Sequence, residues 1–283
     1  MPKAYPIHDS PLYKIVGLGQ LEQRLNIKFS KLDKLLNNNY RVWLNPKGRE
    51  IQCPLGMLNQ VHIHIGRLLG RIETPTYVHS KKSRSYVTNA NQHKGNVALA
   101  KTDISKFYPS TTRKMVWEMF VNQFKCAKHV SDILADICCY QQKHIPTGSP
   151  ISGRIAFFAS IDLFNKVDAY CKKEGCHFTL YVDDLTISGR NATKFLINEV
   201  RKVIRLNGLK AKRSKTQTFP AYSAKTVTGV ILRGTESLLP NKRHKAIADT
   251  RRSFDNAKNP YDKEQLKVSL NGKLREAKQV VLH

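Results

Sequence analysis

Apolar residues recur along this chain at two spacings, one helical and one alternating. Leu58, Val61, Ile65, Leu68 and Leu69 repeat at helical intervals and predict an amphipathic helix from Met57 to Ile72. Val130, Ile133, Leu134, Ile137 and Cys138 predict a second, ending near Tyr140, and Phe195, Leu196, Val200, Val203 and Ile204 a third. Shorter helices are predicted over Ser30 to Leu36 and over Met115 to Phe120, the latter after an N-cap choice in Ser110-Thr111-Thr112. Strand patterns over Tyr40 to Leu44 and Arg49 to Gln52 flank the turn signal Asn45-Pro46-Lys47-Gly48, which predicts a β-hairpin over residues 40 to 52 with a cationic tip. Val97-Ala98-Leu99-Ala100 reads as a buried strand delivering Asp103 at its end. The turn-rich Ile145 to Pro150 opens one long helix through Ile155, Ala156, Ala159, Leu163 and Val167. Strand runs Phe178 to Val182 and Leu185 to Ser188 flank Asp183 and Asp184, with Gly189 as a stop. Further strands are predicted from Lys215-Thr216 and over Thr226 to Leu232, and the last forty residues read as basic helices broken near Asn259-Pro260. Residues 77 to 96 lose periodicity, which suits a surface loop or a segment tracking a nucleic-acid backbone.

Charge sharpens this α+β pattern. Lys and Arg number 48 against 21 Asp and Glu, a formal net charge of +27 over 283 residues. Self-repulsion on that scale disfavours a compact chain without an anionic partner, and nucleic acid is the first candidate. No apolar run approaches the roughly 18 residues of a membrane span, and no signal-peptide pattern opens the chain, so a soluble, cytoplasmic protein that does not enter membranes is expected. The six cysteines include no Cys-x-x-Cys pair and read as buried thiols. His62 and His64, two apart on a predicted helix, point apart and read as ordinary helix residues.

Against this cationic background, two adjacent acids inside an apolar β pattern demand a role, because strand formers disfavour them. Asp103 from one strand end and Asp183 with Asp184 from a hairpin would make a site for two divalent cations. Mg²⁺ takes oxygen ligands and keeps water and substrate phosphate in its shell, so few protein carboxylates suffice, and two such ions serve phosphoryl transfer. Asp103 taken alone also suits a cap or turn, and the cationic tip of the 40–52 hairpin taken alone suits a solvated turn.

The order of these features resembles the palm of reverse transcriptases. Asp103 to Tyr108 is similar to the first palm motif, Thr147-Gly148-Ser149-Pro150 to the loop that supports template and nucleotide, and Tyr181-Val182-Asp183-Asp184 to the Tyr-x-Asp-Asp signature. Lys215-Thr216 after Gly208-Leu209 resembles the following lysine motif, and Arg49-x-Ile51-x-x-Pro54 a fingers motif. Asn89-Ala90-Asn91-Gln92-His93 and Val227-Thr228-Gly229 match elements of bacterial retron reverse transcriptases. Thr147, Gly153 and Val182 stand where that family usually has Gln, Pro and Ala.

The resemblance implies a right-hand polymerase with fingers over 1–96 (and partly 111–145), an antiparallel palm backed by helices over 97–235, and a short helical thumb over 236–283. It implies Mg²⁺, as two ions, on Asp103, Asp183, Asp184 and the backbone of Ile104, with Lys215 as proton donor to pyrophosphate. Lys47, Arg49, Thr147 and Gly148 would bind the deoxynucleoside triphosphate, with Tyr108 under the sugar as a bar to a 2′-hydroxyl. Asn89, His93, Val227, Thr228, Gly229, Lys242, Arg243, Arg251 and Arg252 would contact nucleic acid. The implied partner is a cognate structured noncoding RNA, primer and template for DNA synthesis, with a role in anti-phage defence beside an effector protein. Two rivals are a defence-associated or intron-related reverse transcriptase with different priming, and a non-catalytic RNA-binding scaffold. The chain's end at His283 leaves little room for the maturase and endonuclease domains of the larger intron proteins, which favours the compact form.

Overall fold

The computed structural model describes residues 4–281 apart from 29, 31 and 38. It is an α+β structure of two compact units, one comprising residues up to Pro75 with Ile104–Asn165, the other Thr76–Asp103 with residues from Lys166 on.

In the first unit, α1 (Leu18–Leu25) buries Leu21 and Leu25 and ends at Asn26, whose left-handed backbone (φ 54°) caps the helix. After α2 (Leu32–Leu36), β1 (Tyr40–Leu44) and β2 (Glu50–Pro54) pair antiparallel from Tyr40 opposite Pro54 to Leu44 opposite Glu50. Asn45 closes the turn between them, its Oδ1 accepting the N–H groups of Lys47 and Arg49. The predicted hairpin and the predicted helix behind it, α3 (Gly56–Leu69), both form, and α3 buries Leu58, Val61, Ile65 and Leu69.

The stretch expected to be aperiodic contains a helix, α4 (Tyr86–Asn91), in the second unit. Ser85 and Thr88 form a reciprocal capping box, and Val87 and Ala90 are fully buried. Next, β3 (Leu99–Asp103) delivers Asp103 at its end, as the sequence predicts. Three further helices of the first unit follow, α5 (Phe107–Ser110), α6 (Arg113–Asn122) and α7 (Lys128–Cys138). Arg113 ties α6 to α7 through Asp136 at 2.6 Å and Asp132 at 3.2 Å. The single long helix expected after Pro150 is two, α8 (Ser152–Ala159) and α9 (Ile161–Lys173), separated at Ser160. Five of the six cysteines are buried and all are free, with burial pushing the thiols of Cys139 and Cys171 up to about 12.

The second unit is built on an antiparallel sheet in the order β4-β5-β3-β6, from β4 (His177–Tyr181), β5 (Asp184–Ser188), β3 and β6 (Gln217–Phe219). The helix α10 (Lys194–Leu206), capped by Thr193, buries Leu196, Ile197, Val200 and Ile204. Lys215 ends a 3₁₀ turn, Arg213–Lys215, so the strand expected from it begins two residues later. The expected strand over Thr226 to Leu232 is a hairpin of β7 (Lys225–Val227) and β8 (Val230–Arg233), extended by β9 (Glu236–Leu238). Its turn, Thr228-Gly229, has φ 43° and 85°, the two positive values of a type I′ turn, which is why glycine sits there. The chain closes with α11 (Asn241–Asn256) and α12 (Pro260–Val281), broken near Asn259 as predicted. Val87, Ala90, Leu99, Val227, Val230, Leu232, Leu239 and Val280 form one core that ties α4, the strands and α12 together.

His93 braces the central strands from behind, its Nδ1 2.7 Å from the Ser188 hydroxyl on β5 and its Nε2 2.7 Å from the Thr179 hydroxyl on β4. Burial, with His177, His79 and Lys225 nearby, pushes its pKa down to about 3, so the folded ring is neutral. A group depressed from about 6.5 in the unfolded chain contributes stability complete above that pH and lost as pH falls toward 3. The parent protein is therefore expected to lose thermal stability between pH 6.5 and 4.5 more steeply than His93→Gln, by up to about 1.4 kcal/mol per pH unit. Parallel slopes in unfolding midpoints measured across that range would reject the assignment.

Candidate active site

The second unit carries the acids. Tyr181 pairs with Asp184 across β4 and β5, so Val182 and Asp183 are the whole loop of a two-residue hairpin. Of these two only Val182 has a positive φ, 62°, a left-handed conformation that a β-branched residue resists at a cost of about 1–3 kcal/mol. Asp184 pairs with Asp103 on β3, and directly opposed residues of such a ladder hold their Cβ atoms about 4.5–5.5 Å apart. All three acids are half-buried. Burial first, then the charges of Asp183 and Asp103, raises the Asp184 carboxyl to about 6, against the opposing pull of Lys101 and Lys215.

Neighbouring groups fix this geometry. The Lys101 ammonium donates to the Thr226 carbonyl at 2.6 Å, the Thr186 hydroxyl reaches Asp184 at 3.5 Å, and the Lys212 N–H donates to the Asp103 carbonyl at 2.7 Å. Thr102 and Thr216 join hydroxyls at 2.8 Å, which anchors the exposed Lys215 within electrostatic reach of Asp184. Among the described residues, no three His, Cys, Asp or Glu side chains are grouped so as to hold a metal by themselves. The hard-oxygen donor set nevertheless suits Mg²⁺, which completes its shell with water and phosphate oxygens. Ile104, the expected backbone ligand, is fully buried.

The nucleotide candidates belong to the first unit. Lys47 and Arg49 are exposed at the hairpin tip, and the Arg49 guanidinium lies 5.9 Å from the centre of the Tyr108 ring. A Cβ at Gly153 would stand 3.6 Å from the Tyr108 hydroxyl, an ordinary van der Waals contact, so the spacing does not require glycine there. Gly148 has φ 122°, and a Cβ on it would come within 2.8 Å of Ile51 Cγ2, so only glycine fits against β2. Thr147 departs from its expected role, being 4% exposed with Oγ1 buried and unpartnered, so its side chain does not present itself to a ligand.

The residues expected to touch nucleic acid divide in two. Lys242, Arg251 and Arg252 are exposed on α11. Asn89, His93 and Val227 are fully buried, so their work is in the interior of the fold and the expected contact with nucleic acid is corrected. Thr228 and Gly229 are half-buried, and the Thr228 hydroxyl donates to the Tyr86 carbonyl at 2.7 Å, fastening the hairpin to α4. Arg243 lies over the Tyr86 ring and pairs with Glu276, which joins α11 to α12. Sequence reasoning missed Lys101, a basic residue hidden in an apolar strand pattern, and also Gln52 and His62, whose partners lie about ninety residues away.

Paired carboxylates at the meeting ends of antiparallel strands are a donor set suited to a divalent cation, and the wider sequence shows the family that carries them. A profile described as "Reverse transcriptase (RNA-dependent DNA polymerase)" matches residues 29–255, and the chain belongs to that family. Among its relatives, the Retron Ec86 reverse transcriptase of Escherichia coli is 27% identical over 176 residues, covering 62% of this chain and 54% of the relative. The Retron Se72 reverse transcriptase of Salmonella heidelberg is 30% identical over 207 residues, 68% of this chain and 52% of the relative. The retron-type resemblance is thus borne out, while the chain spans about half the length of the curated relatives it matches. Among the described residues no helix is long and apolar enough to cross a membrane.

Proposed function

We propose that this protein is a retron-type RNA-directed DNA polymerase that copies a cognate structured noncoding RNA into DNA. The observation that carries the reading is the register that sets Asp103 opposite Asp184 with Asp183 at the adjoining turn. Residues 1–96, with part of 111–145, serve as fingers, 97–235 as palm and 236–283 as thumb. Asp103, Asp183 and Asp184, with the Ile104 carbonyl, would hold two Mg²⁺, which when bound favour ionisation of the attacking hydroxyl and offset charge on the leaving oxygen.

The chain's own groups do the rest. The acids orient the primer hydroxyl toward the α-phosphorus, where a new P–O bond forms as the bond to pyrophosphate breaks and the hydroxyl proton leaves to solvent. Lys215 gives a proton to that pyrophosphate. Lys47 and Arg49 neutralise the triphosphate, with Arg able to grip it bidentately, and the Gly148 backbone lines the nucleotide. Tyr108 excludes a ribose 2′-hydroxyl. The exposed cations of α11 and the Thr228-Gly229 turn hold the RNA and its RNA–DNA product through the phosphates, and synthesis starts from an RNA 2′-hydroxyl. The protein works in the cytoplasm, in anti-phage defence beside an effector protein.

Primer extension on an RNA template, together with sequencing of nucleic acid that copurifies with the protein, tests this. Mg²⁺-dependent deoxynucleotide incorporation and a branched RNA–DNA are expected. Absent incorporation overturns the polymerase, and free DNA or no bound RNA overturns the retron priming.

A further inference from the structure

We propose that Gln52 and His62 are positioning residues for nucleotide capture, fixing the Thr147–Ser149 loop to the cationic hairpin so that a triphosphate meets one preformed surface. The inference rests on the polymerase reading above and goes beyond it by assigning roles to two side chains that would touch neither nucleotide nor metal.

The loop's local bonds, from Ser152 Oγ to the Pro146 carbonyl at 2.5 Å and from the Ser152 N–H to the Ser149 carbonyl at 3.3 Å, leave the Thr147 backbone to other partners. Pro146 and Pro150 supply no N–H groups, and Gly148 between them has a backbone conformation that few residues adopt. Its anchors come from elsewhere in the first unit. Gln52, 3% exposed on β2, accepts the Thr147 N–H on Oε1 at 2.6 Å, and its own backbone N–H donates to the Thr147 carbonyl at 2.7 Å. Its Nε2 donates to Glu50 at 2.6 Å, so the buried carboxamide is used at both ends. An apolar residue here would orphan the Thr147 N–H.

His62 secures the other side. It is fully buried on α3, with Nε2 2.8 Å from the Ile137 carbonyl and Nδ1 2.7 Å from the Ser149 hydroxyl. A carbonyl only accepts, so Nε2 carries the proton and Nδ1 accepts from Ser149. Burial pushes the ring's pKa down to about 4, which keeps this single arrangement throughout the neutral range. The two bridges flank Gly148, whose exposed backbone sits against Ile51 with no room for a Cβ. Gln52 is three residues along the chain from Arg49, so the bridge that holds the loop also sets the base of the cationic tip.

Primer extension by Gln52→Met, by the exchange Gln52→Glu with Glu50→Gln, and by Ser149→Ala, with primer–template affinity and thermal midpoint measured alongside, tests the assignment. Gln52→Met, of similar size but without the acceptor, should raise the KM for deoxynucleoside triphosphate roughly tenfold while kcat stays within about twofold. The exchange Gln52→Glu with Glu50→Gln, which keeps an oxygen for the Thr147 N–H and a donor–acceptor pair between the two side chains, should recover most of that loss, and Ser149→Ala should raise KM about threefold. Template affinity should hold in all three, and only Gln52→Met, which orphans the Thr147 N–H, should lower the midpoint, by a few degrees. An unchanged KM overturns the inference, and so does a joint fall of kcat, template affinity and thermal midpoint, which marks a merely structural role. A parent protein that incorporates no nucleotide overturns the polymerase reading instead, so the two failures are distinct.

Discussion

Asp183→Asn combined with Asp184→Asn is expected to abolish Mg²⁺-dependent incorporation while leaving RNA binding intact. Carboxylates that hold catalytic cations supply several kcal/mol of transition-state stabilisation, so a loss of about 4 kcal/mol, roughly a thousandfold in rate, is the minimum expected. Stability should move the other way. Burial and two like charges raise Asp184 to about 6, so the folded protein prefers its protonated form. A carboxyl raised in this way contributes stability that is complete below the unfolded value near 3.9 and is lost as pH rises through 6. At pH 8 the ionised group therefore works against the fold, and its replacement by a neutral isostere should strengthen the fold by on the order of 2 kcal/mol. A more heat-stable, RNA-binding, inactive protein is the signature. Unchanged primer extension would sink the metal assignment, and a drop in thermal midpoint at pH 8 would sink the electrostatic account.

The second large effect is expected at Tyr108. Tyr108→Ala should raise use of ribonucleotides relative to deoxynucleotides by roughly 30- to 150-fold in the ratio of kcat/KM values, since steric exclusion of one hydroxyl accounts for about 2–3 kcal/mol. Tyr108→Phe retains the ring and should retain the discrimination. The Arg49 guanidinium rests over this ring, so Tyr108→Ala should also weaken triphosphate binding for both sugars, by roughly threefold. Competition assays with the two nucleotide classes measure the ratio, and an unchanged ratio rejects the gate.

Much of this architecture could be read before any coordinates, and the exceptions share a cause. The β1–β2 hairpin, β3 and the β4–β5 hairpin are visible because short apolar runs are bounded by turn formers, and α3, α7 and α10 because one face is apolar at helical spacing. The helix α4 is invisible because Tyr-Val-Thr-Asn-Ala-Asn has no sustained periodicity, and its order comes from a capping box and a core assembled from distant residues. The break at Ser160 is hidden because the apolar positions continue across it. The β7–β8 turn is hidden because apolar residues on both sides of Thr228-Gly229 merge into one run, although a lone glycine within it was the available signal. At the candidate site the acids are evident from their type in an unlikely context. The supports are not, since nothing in the local sequence of Gln52, His62 or His93 announces a partner about ninety residues on.

The two-residue loop between Tyr181 and Asp184 also acts as a ruler. In an antiparallel ladder side chains alternate faces, so the register that sets Asp184 against Asp103 leaves no slack for one residue more or less. One added residue would carry Asp184 to the opposite face and leave another side chain facing Asp103. A substitution at Val182 leaves the alignment in place, whereas a change of length removes it in a single step. The chain can drift in composition here, as Val182 illustrates, but its count of residues is held by geometry.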